Sequence, residues 1–362
     1  MKIKFEKALF IIDSPLNAFM ANIIGQKFEN ITMIYCLDSN LKNNDQKEQI
    51  IDLLLKNLKI KRVYKISYDA KLFWSGGKNL ILPNIRKEVK KIIDSLEGKF
   101  IYYGNCLTNP VALALSKYKK LNHLYHSPTD FFDMLFNKKD IKFYMRFYLK
   151  KLLFLEHGHI QKGDHKILSL INFKDDKNFQ FIDYSLFKSN KVKKILYKLS
   201  LKTKNQENTI IQLLSGDEPL VGDDNYFDVK KYAESHIQGV IEIMKRFNLA
   251  TAQIWLKEHK SYKPLSKLDK KIFTTLFSKI NCDVYFISDY LPKGYIYLPG
   301  ECILRYCNFD FIISEPSSML INVNKNINSI LSYNHFSKLR TFEENNRNNL
   351  YLKINELLLK SC

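Results

Sequence analysis

Short apolar runs alternate with amphipathic segments along the first 150 residues of the chain. KALFIID (7–13) has the unbroken apolar character of a buried strand, and a helical pattern follows from Pro15 to about Lys27. ITMIYCL (31–37) precedes a helical segment near 45–57, and RVYKIS (62–67) precedes one near 84–96. KFIYYGN (99–105) leads into a helix that starts at about Pro110, and NHLYHS (122–127) into a long helical stretch reaching about Leu152. Strands that are apolar throughout and separated by helices predict a parallel sheet covered on both faces.

LYKLSLKTKNQENT (196–209) is polar and weak in periodicity, which predicts a linker. The alternation then restarts. TIIQLL (209–214) reads as a strand ending at Ser215-Gly216, with a helix near 227–247 and a strand at AQIWLKEH (252–259). DVYFIS (283–288), a helix near 300–307, FDFIIS (309–314), a helix from Pro316 and a last helix at 337–360 complete the pattern. The expected organisation is a Rossmann-like domain over 1–200, a second over 208–336 and a terminal helix over 337–362. Each would be doubly wound, with ligands at the carboxyl ends of its strands.

Composition adds one departure from the ordinary. The 362 residues are 46% hydrophobic and 13% aromatic, as expected of packed globular domains, but 57 Lys+Arg against 37 Asp+Glu leave a net charge of +20. That excess points to an anionic partner: nucleic acid, a membrane surface or a phosphorylated substrate. Helix-turn-helix, zinc-finger and RNP-type signatures are absent, which argues against nucleic acid. The basic residues concentrate instead at 137–151 and 189–204. In the first stretch Phe143, Tyr144, Phe147 and Tyr148 interleave with Lys142, Arg146 and Lys150, the pattern of either an interfacial amphipathic helix or a core-facing aromatic stripe with solvated lysines. The six cysteines form no C-x-x-C pair and read as reduced, buried thiols. Asp13 breaks the first apolar run, so neither a secretory signal nor a membrane span is expected, and a cytoplasmic protein is.

Candidate chemistry gathers at the predicted strand ends of the second half. Lys257-Glu258-His259 ends one strand, Pro299-Gly300-Glu301 opens a helix, and Ser314-Glu315-Pro316-Ser317-Ser318 follows another strand. Pro316 can occupy the first helical turn, which would set Ser317 and Ser318 among free backbone N–H groups, an arrangement that suits an anion. Each motif alone has an ordinary structural reading as a cap or a surface residue. Together they could hold a nucleotide, with hydroxyls on phosphate, a carboxylate on ribose and an imidazole on the leaving phosphate oxygen.

The order and spacing of K-E-H, P-G-E and S-S resemble the bacterial sialyltransferases, which carry an acidic D/E-D/E-G motif, an H-P motif, a P-x-E helix start and an S-S pair. LFIIDSPLNAF (9–19) is similar to the opening strand and loop of the lipooligosaccharide sialyltransferase and polysialyltransferase families, and YYGNCLTNP (102–110) to their GN…NP segment. Two departures stand out. Lys260 follows His259 where the family has proline, with Lys263-Pro264 further on. His126-Ser127-Pro128-Thr129 stands where relatives have an acidic motif, while Glu156-His157-Gly158 resembles that motif with its second acid replaced.

The resemblance implies a GT-B fold, two Rossmann-like domains facing a central cleft, and inverting transfer of sialic acid or a related nonulosonic acid from its CMP donor to a cell-surface glycan. It implies a general base at Glu156 or, as the second choice, Asp130, with His259 acting on the departing phosphate. Ser215, Gly216, Lys257, His259, Glu301, Ser317 and Ser318 would hold the donor, and Ser14, Pro15, Asn17, Gly104 and Asn105 the acceptor. No metal and no cofactor beyond the CMP-sugar is expected. An oligosaccharide or lipid-linked acceptor would place the enzyme at the inner face of the cytoplasmic membrane, against anionic lipid, with a homodimer left open. Donors such as CMP-Kdo, CMP-legionaminate, CMP-pseudaminate or a UDP-sugar are the alternatives among enzymes, and a basic nucleic-acid-binding protein is the alternative outside them.

Overall fold

The computed structural model describes residues 7–40, 44–74, 78–105, 109–125, 167–170, 179–204, 206–214, 229–258, 265–292, 294–295, 298–314 and 328–331. The chain divides into two compact units between Ser189 and Asn190. Each is α/β, with a parallel sheet flanked by helices.

In the first unit the strands are β1 (Lys7–Ile12), β2 (Asn30–Asp38), β3 (Ile60–Tyr68), β4 (Ile101–Gly104), β5 (Leu121–Tyr125), β6 (Ile167–Ser169) and β7 (Phe179–Phe181). They lie in the order β3-β2-β1-β4-β5-β6-β7, parallel at every pairing. Helices α1 (Pro15–Gly25), α2 (Asn44–Leu55), α3 (Ala70–Trp74), α4 (Lys78–Asp94) and α5 (Pro110–Ser116) lie between the strands from β1 to β5. β1 is an interior strand, paired with β2 and β4, and its residues 8–12 are buried, as in a parallel sheet covered on both faces. Ser14 caps α1 by accepting from Asn17 N at 3.2 Å, and Pro15 fills the first turn, where its missing N–H costs nothing. α4 starts at Lys78, ahead of the expected position near 84. Pro83 lies inside it, early enough to remove only one hydrogen bond of the opening turns.

The second unit repeats the plan. Helices α6 (Asn190–Ile195) and α7 (Tyr197–Thr203) lead to β8 (Thr209–Leu213), α8 (Val229–Arg246), β9 (Ala252–Lys257), α9 (Lys267–Ser278), β10 (Cys282–Phe286), α10 (Gly300–Tyr306), β11 (Phe311–Ser314) and β12 (Asn328–Leu331). The sheet order is β10-β9-β8-β11-β12, again parallel throughout. The expected linker over 196–209 is instead helical over Tyr197–Thr203. Leu196, Leu199 and Thr203 recur at helical spacing and are buried, and the lysines between them stay exposed. α7 packs against the turn at Ile287–Tyr290, so the boundary falls ahead of the expected residue 200.

One face of the second sheet packs Ile210, Ile254 and Leu256 against Tyr232, Ile237, Phe273 and Phe277 of α8 and α9. On β9, Trp255 alternates with these and stacks on Tyr285 with ring centroids 4.6 Å apart. Cys36, Cys282, Cys302 and Cys307 are buried free thiols. Among the described residues no helix is long and apolar enough to cross a membrane. The expected helices to about Leu152, from Pro316 and over 337–360 lie outside the described residues.

Candidate functional site

Both sheets change winding direction beside their first strand, and it is at such a switch point that a doubly wound sheet leaves a crevice at its carboxyl edge. In the second unit this falls between β8 and β11. Ser314 pairs with Leu213, and Leu213 with Lys257, so β11, β8 and β9 end level with one another. Neighbouring parallel strands are about 4.8 Å apart, which puts the ends of β9 and β11 roughly 10 Å from each other. The segments carrying Ser215-Gly216, His259 and Ser317-Ser318 therefore leave the sheet from three adjacent strand ends. Those five residues, like the two carboxylates Glu156 and Asp130, lie outside the described residues.

Two of the expected donor residues are described, and they share one electrostatic environment. Lys257 is buried, and its Nζ donates to the main-chain oxygen of Glu258 at 2.9 Å. Burial lowers its pKa to about 8, while the carboxylates of Glu258 and Glu301 oppose that shift by favouring the ammonium. The sign follows directly. Below about pH 8 the buried charge costs stability, and between pH 8 and the free-lysine value the unfolded chain binds the additional proton, so stability from this group rises with pH. Glu301 stands in the first turn of α10, only 4% exposed, where the helix N-terminus favours its charge. Lys257 thus turns into the protein, where it offsets buried carboxylates.

Glu258, part of the K-E-H motif but given no role of its own there, supplies a restraint. Its Oε1 accepts from Leu265 N at 3.1 Å, and the carboxylate is almost wholly buried. Residues 258 and 265 bracket the segment that contains His259, so this one bond ties its two ends together. Ser266 then starts α9 with a capping box, accepting from Asp269 N at 3.2 Å while Asp269 accepts from Ser266 N at 2.8 Å. Glu258→Leu should lower stability by about 1–3 kcal/mol through the orphaned amide, whereas Glu258→Gln, which keeps an acceptor, should lose far less. Urea unfolding of the two variants checks this, and equal losses would contradict the restraint.

A second pair missed in the sequence is Gln212 and His236. Gln212 Nε2 donates to the His236 main-chain oxygen at 2.9 Å and lies 3.1 Å from His236 Nδ1, which fixes α8 to β8 just before the strand ends. Only the burial of both polar side chains identifies the pair, and no spacing in the sequence announces it.

In the first unit the switch point lies between β1 and β4, and the expected acceptor residues gather there. Ser14 and Pro15 open α1 directly after β1, and Asn105, 2% exposed, directly follows β4. Gly104 has a packing role: a Cβ there would meet Ile11 Cβ and Ala112 Cβ at 3.2 Å, so its small size lets β4 approach α5. Asn17 is fully buried, and its Nδ2 donates to Asp13 Oδ1 at 2.5 Å. Asn109 Nδ2 donates to the other oxygen, Asp13 Oδ2, at 3.0 Å. Asn109 is itself locked, its Oδ1 accepting from Val111 N, Ala112 N and the Cys36 thiol at 2.8, 3.1 and 3.6 Å.

Among the described residues no group of three His, Cys, Asp or Glu side chains is placed to hold a metal ion. The chain matches no known protein-family model and no curated protein.

Proposed function

We propose that the chain is an inverting GT-B glycosyltransferase that moves sialic acid, or a related nonulosonic acid, from its CMP donor to a glycan hydroxyl. The observation that carries the reading is the level ending of β9, β8 and β11, which starts the His259, Ser215-Gly216 and Ser317-Ser318 segments from one sheet edge beside the buried Glu301. In this reading Ser317 and Ser318 bind the CMP phosphate, and Glu301 accepts from the ribose hydroxyls. Glu156, or Asp130 in its place, takes the proton from the acceptor hydroxyl as that oxygen attacks the anomeric carbon. The bond from the anomeric carbon to the phosphate oxygen breaks, CMP leaves with the bonding pair, and His259 gives a proton to the departing phosphate, a task suited to a group that titrates near neutrality. CMP release from a panel of CMP-sialic acid, CMP-Kdo, CMP-legionaminate, CMP-pseudaminate and UDP-sugars tests the reading: release from a CMP-nonulosonate supports it, and release from none of the panel refutes it.

The surplus of basic residues fits an acceptor carried on an anionic membrane. α6 and α7 bury Val192, Leu196, Leu199 and Thr203 and expose Lys193, Lys194, Lys198, Lys202 and Lys204. Tyr197 and Leu201, 59% and 55% exposed and one helical turn apart, sit among those lysines. Each lysine near an anionic surface contributes about 1 kcal/mol, and an apolar pair within a basic face suits the headgroup boundary. Co-sedimentation with anionic vesicles, reversed by salt and weakened in a Lys193→Glu, Lys194→Glu, Lys198→Glu variant, is the expected result. Equal binding to neutral vesicles would contradict it.

A further inference from the structure

The core between the second sheet and α8 contains a buried polar pair. Around it lie Ile210, Ile254 and Leu256 of the sheet and Tyr232, Ile237 and Val240 of α8. Gln212 and His236 are both almost wholly buried there. Gln212 Nε2 donates to the His236 main-chain oxygen at 2.9 Å, and this contact sets the amide's orientation, because the reversed amide would bring two acceptors together. Nε2 therefore also faces His236 Nδ1, at 3.1 Å, which makes Nδ1 an acceptor and leaves the imidazole proton on Nε2. Tyr232 meets the same imidazole edge to face, with ring centroids 4.7 Å apart. The arrangement has a cost: Gln212 Oε1 is buried with no hydrogen-bond partner among the described residues.

An apolar pair of similar shape would avoid that cost, since replacing both partners of a buried hydrogen bond can be neutral or stabilising. What the polar pair adds is direction. Apolar cores lose uniqueness before they lose stability, whereas two contacts from one amide admit a single register. The register is fixed at a telling place. Gln212 stands one residue before the end of β8, and His236 about two turns into α8. Three residues further along, Gly239 brings α8 against β11, where a Cβ would meet Ile313 Cγ2 at 3.3 Å. α8 is thereby seated on both strands that flank the switch point. We propose that Gln212 is a positioning residue for the donor: through His236 it holds the first turns of α8 in one register against the end of β8, beside the crevice. This role rests on the glycosyl-transfer reading, in which that edge takes CMP. The pair touches neither the substrate nor the reacting atoms, so its loss weakens ground-state and transition-state binding alike and leaves the chemical step as it is.

A full-length variant carrying Gln212→Met and His236→Leu tests this, because it roughly keeps the volume of both side chains and removes their polar atoms. Its midpoint of urea unfolding should equal or exceed that of the unaltered chain, since the unpaired Oε1 is gone. Its affinity for CMP, measured by calorimetry, should nevertheless fall about tenfold, and KM for a CMP-nonulosonate should rise by a similar factor with kcat within about twofold. A purely structural pair gives the opposite result, a lower midpoint with unchanged affinity, and that outcome overturns the proposal. Hydrogen exchange of the unaltered chain decides even if the variant fails to fold: CMP should slow exchange in peptides covering 229–240, and no change there also overturns it. A variant that binds CMP as tightly as the unaltered chain removes the role of Gln212 and leaves glycosyl transfer standing. An unaltered chain that binds no CMP overturns the donor reading and this role with it.

Discussion

His259→Ala should lower turnover of a CMP-nonulosonate donor by about 10²–10⁴-fold, the range a positioned proton donor supplies. The fold should survive, because the hydrogen bond from Leu265 N to Glu258 ties together the two ends of the segment bearing His259 and is untouched by the change. The two effects are separable by measuring initial rates and thermal unfolding on the same preparations. A variant with undiminished turnover would remove His259 from the chemistry, and one that is inactive only because it is unfolded would show up in the melting curve.

Glu301→Gln should weaken CMP binding by roughly 10- to 100-fold, because hydrogen bonds to a charged group contribute about 1.5–3 kcal/mol. Glutamine keeps the shape of the side chain and can still accept one hydrogen bond, so the change isolates the charge. It also removes one of the two carboxylates that favour the Lys257 ammonium, so the pKa of Lys257 should fall below its present value of about 8. A calorimetric titration with CMP would reveal the first effect. Unchanged affinity would make Glu301 only a partner of Lys257 and a member of the first turn of α10.

What the sequence made legible and what it hid follow the range of the interactions involved. The long apolar strands announced themselves: KALFII, NITMIYCLD and AQIWLK are buried because parallel sheets are covered on both faces. β6, β7 and β12 are three or four residues each and owe their existence to a neighbouring strand, so no local pattern marks them. α9 was readable but unread. Ser266 and Asp269 form the capping-box signature, and Phe273 and Phe277 supply one buried face at i, i+4 spacing. α7 was misread because its apolar face is only Leu196, Leu199 and Thr203, outnumbered by lysines.

The site divides in the same way. Carboxyl-edge residues such as Lys257 and Glu301 could be placed by counting strands, since their position depends on topology. The contacts of Glu258 and Asp13 could not, since Glu258 bonds across seven positions of sequence and Asp13 across ninety-six as well as four. Asp13 showed in the sequence only as the charge that interrupts an apolar run. Its importance depends on Asn109, which reaches it from the cap of α5 after the chain has passed through β2, β3 and β4.

Hydrogen exchange of the full chain with and without CMP locates the nucleotide most directly. If the carboxyl edge of the second sheet is the donor site, CMP should slow exchange in peptides covering 252–265, 298–306 and 309–320, and leave those covering 7–40 and 99–116 unchanged. Protection confined to the first unit, or no protection anywhere at saturating CMP, would contradict the account.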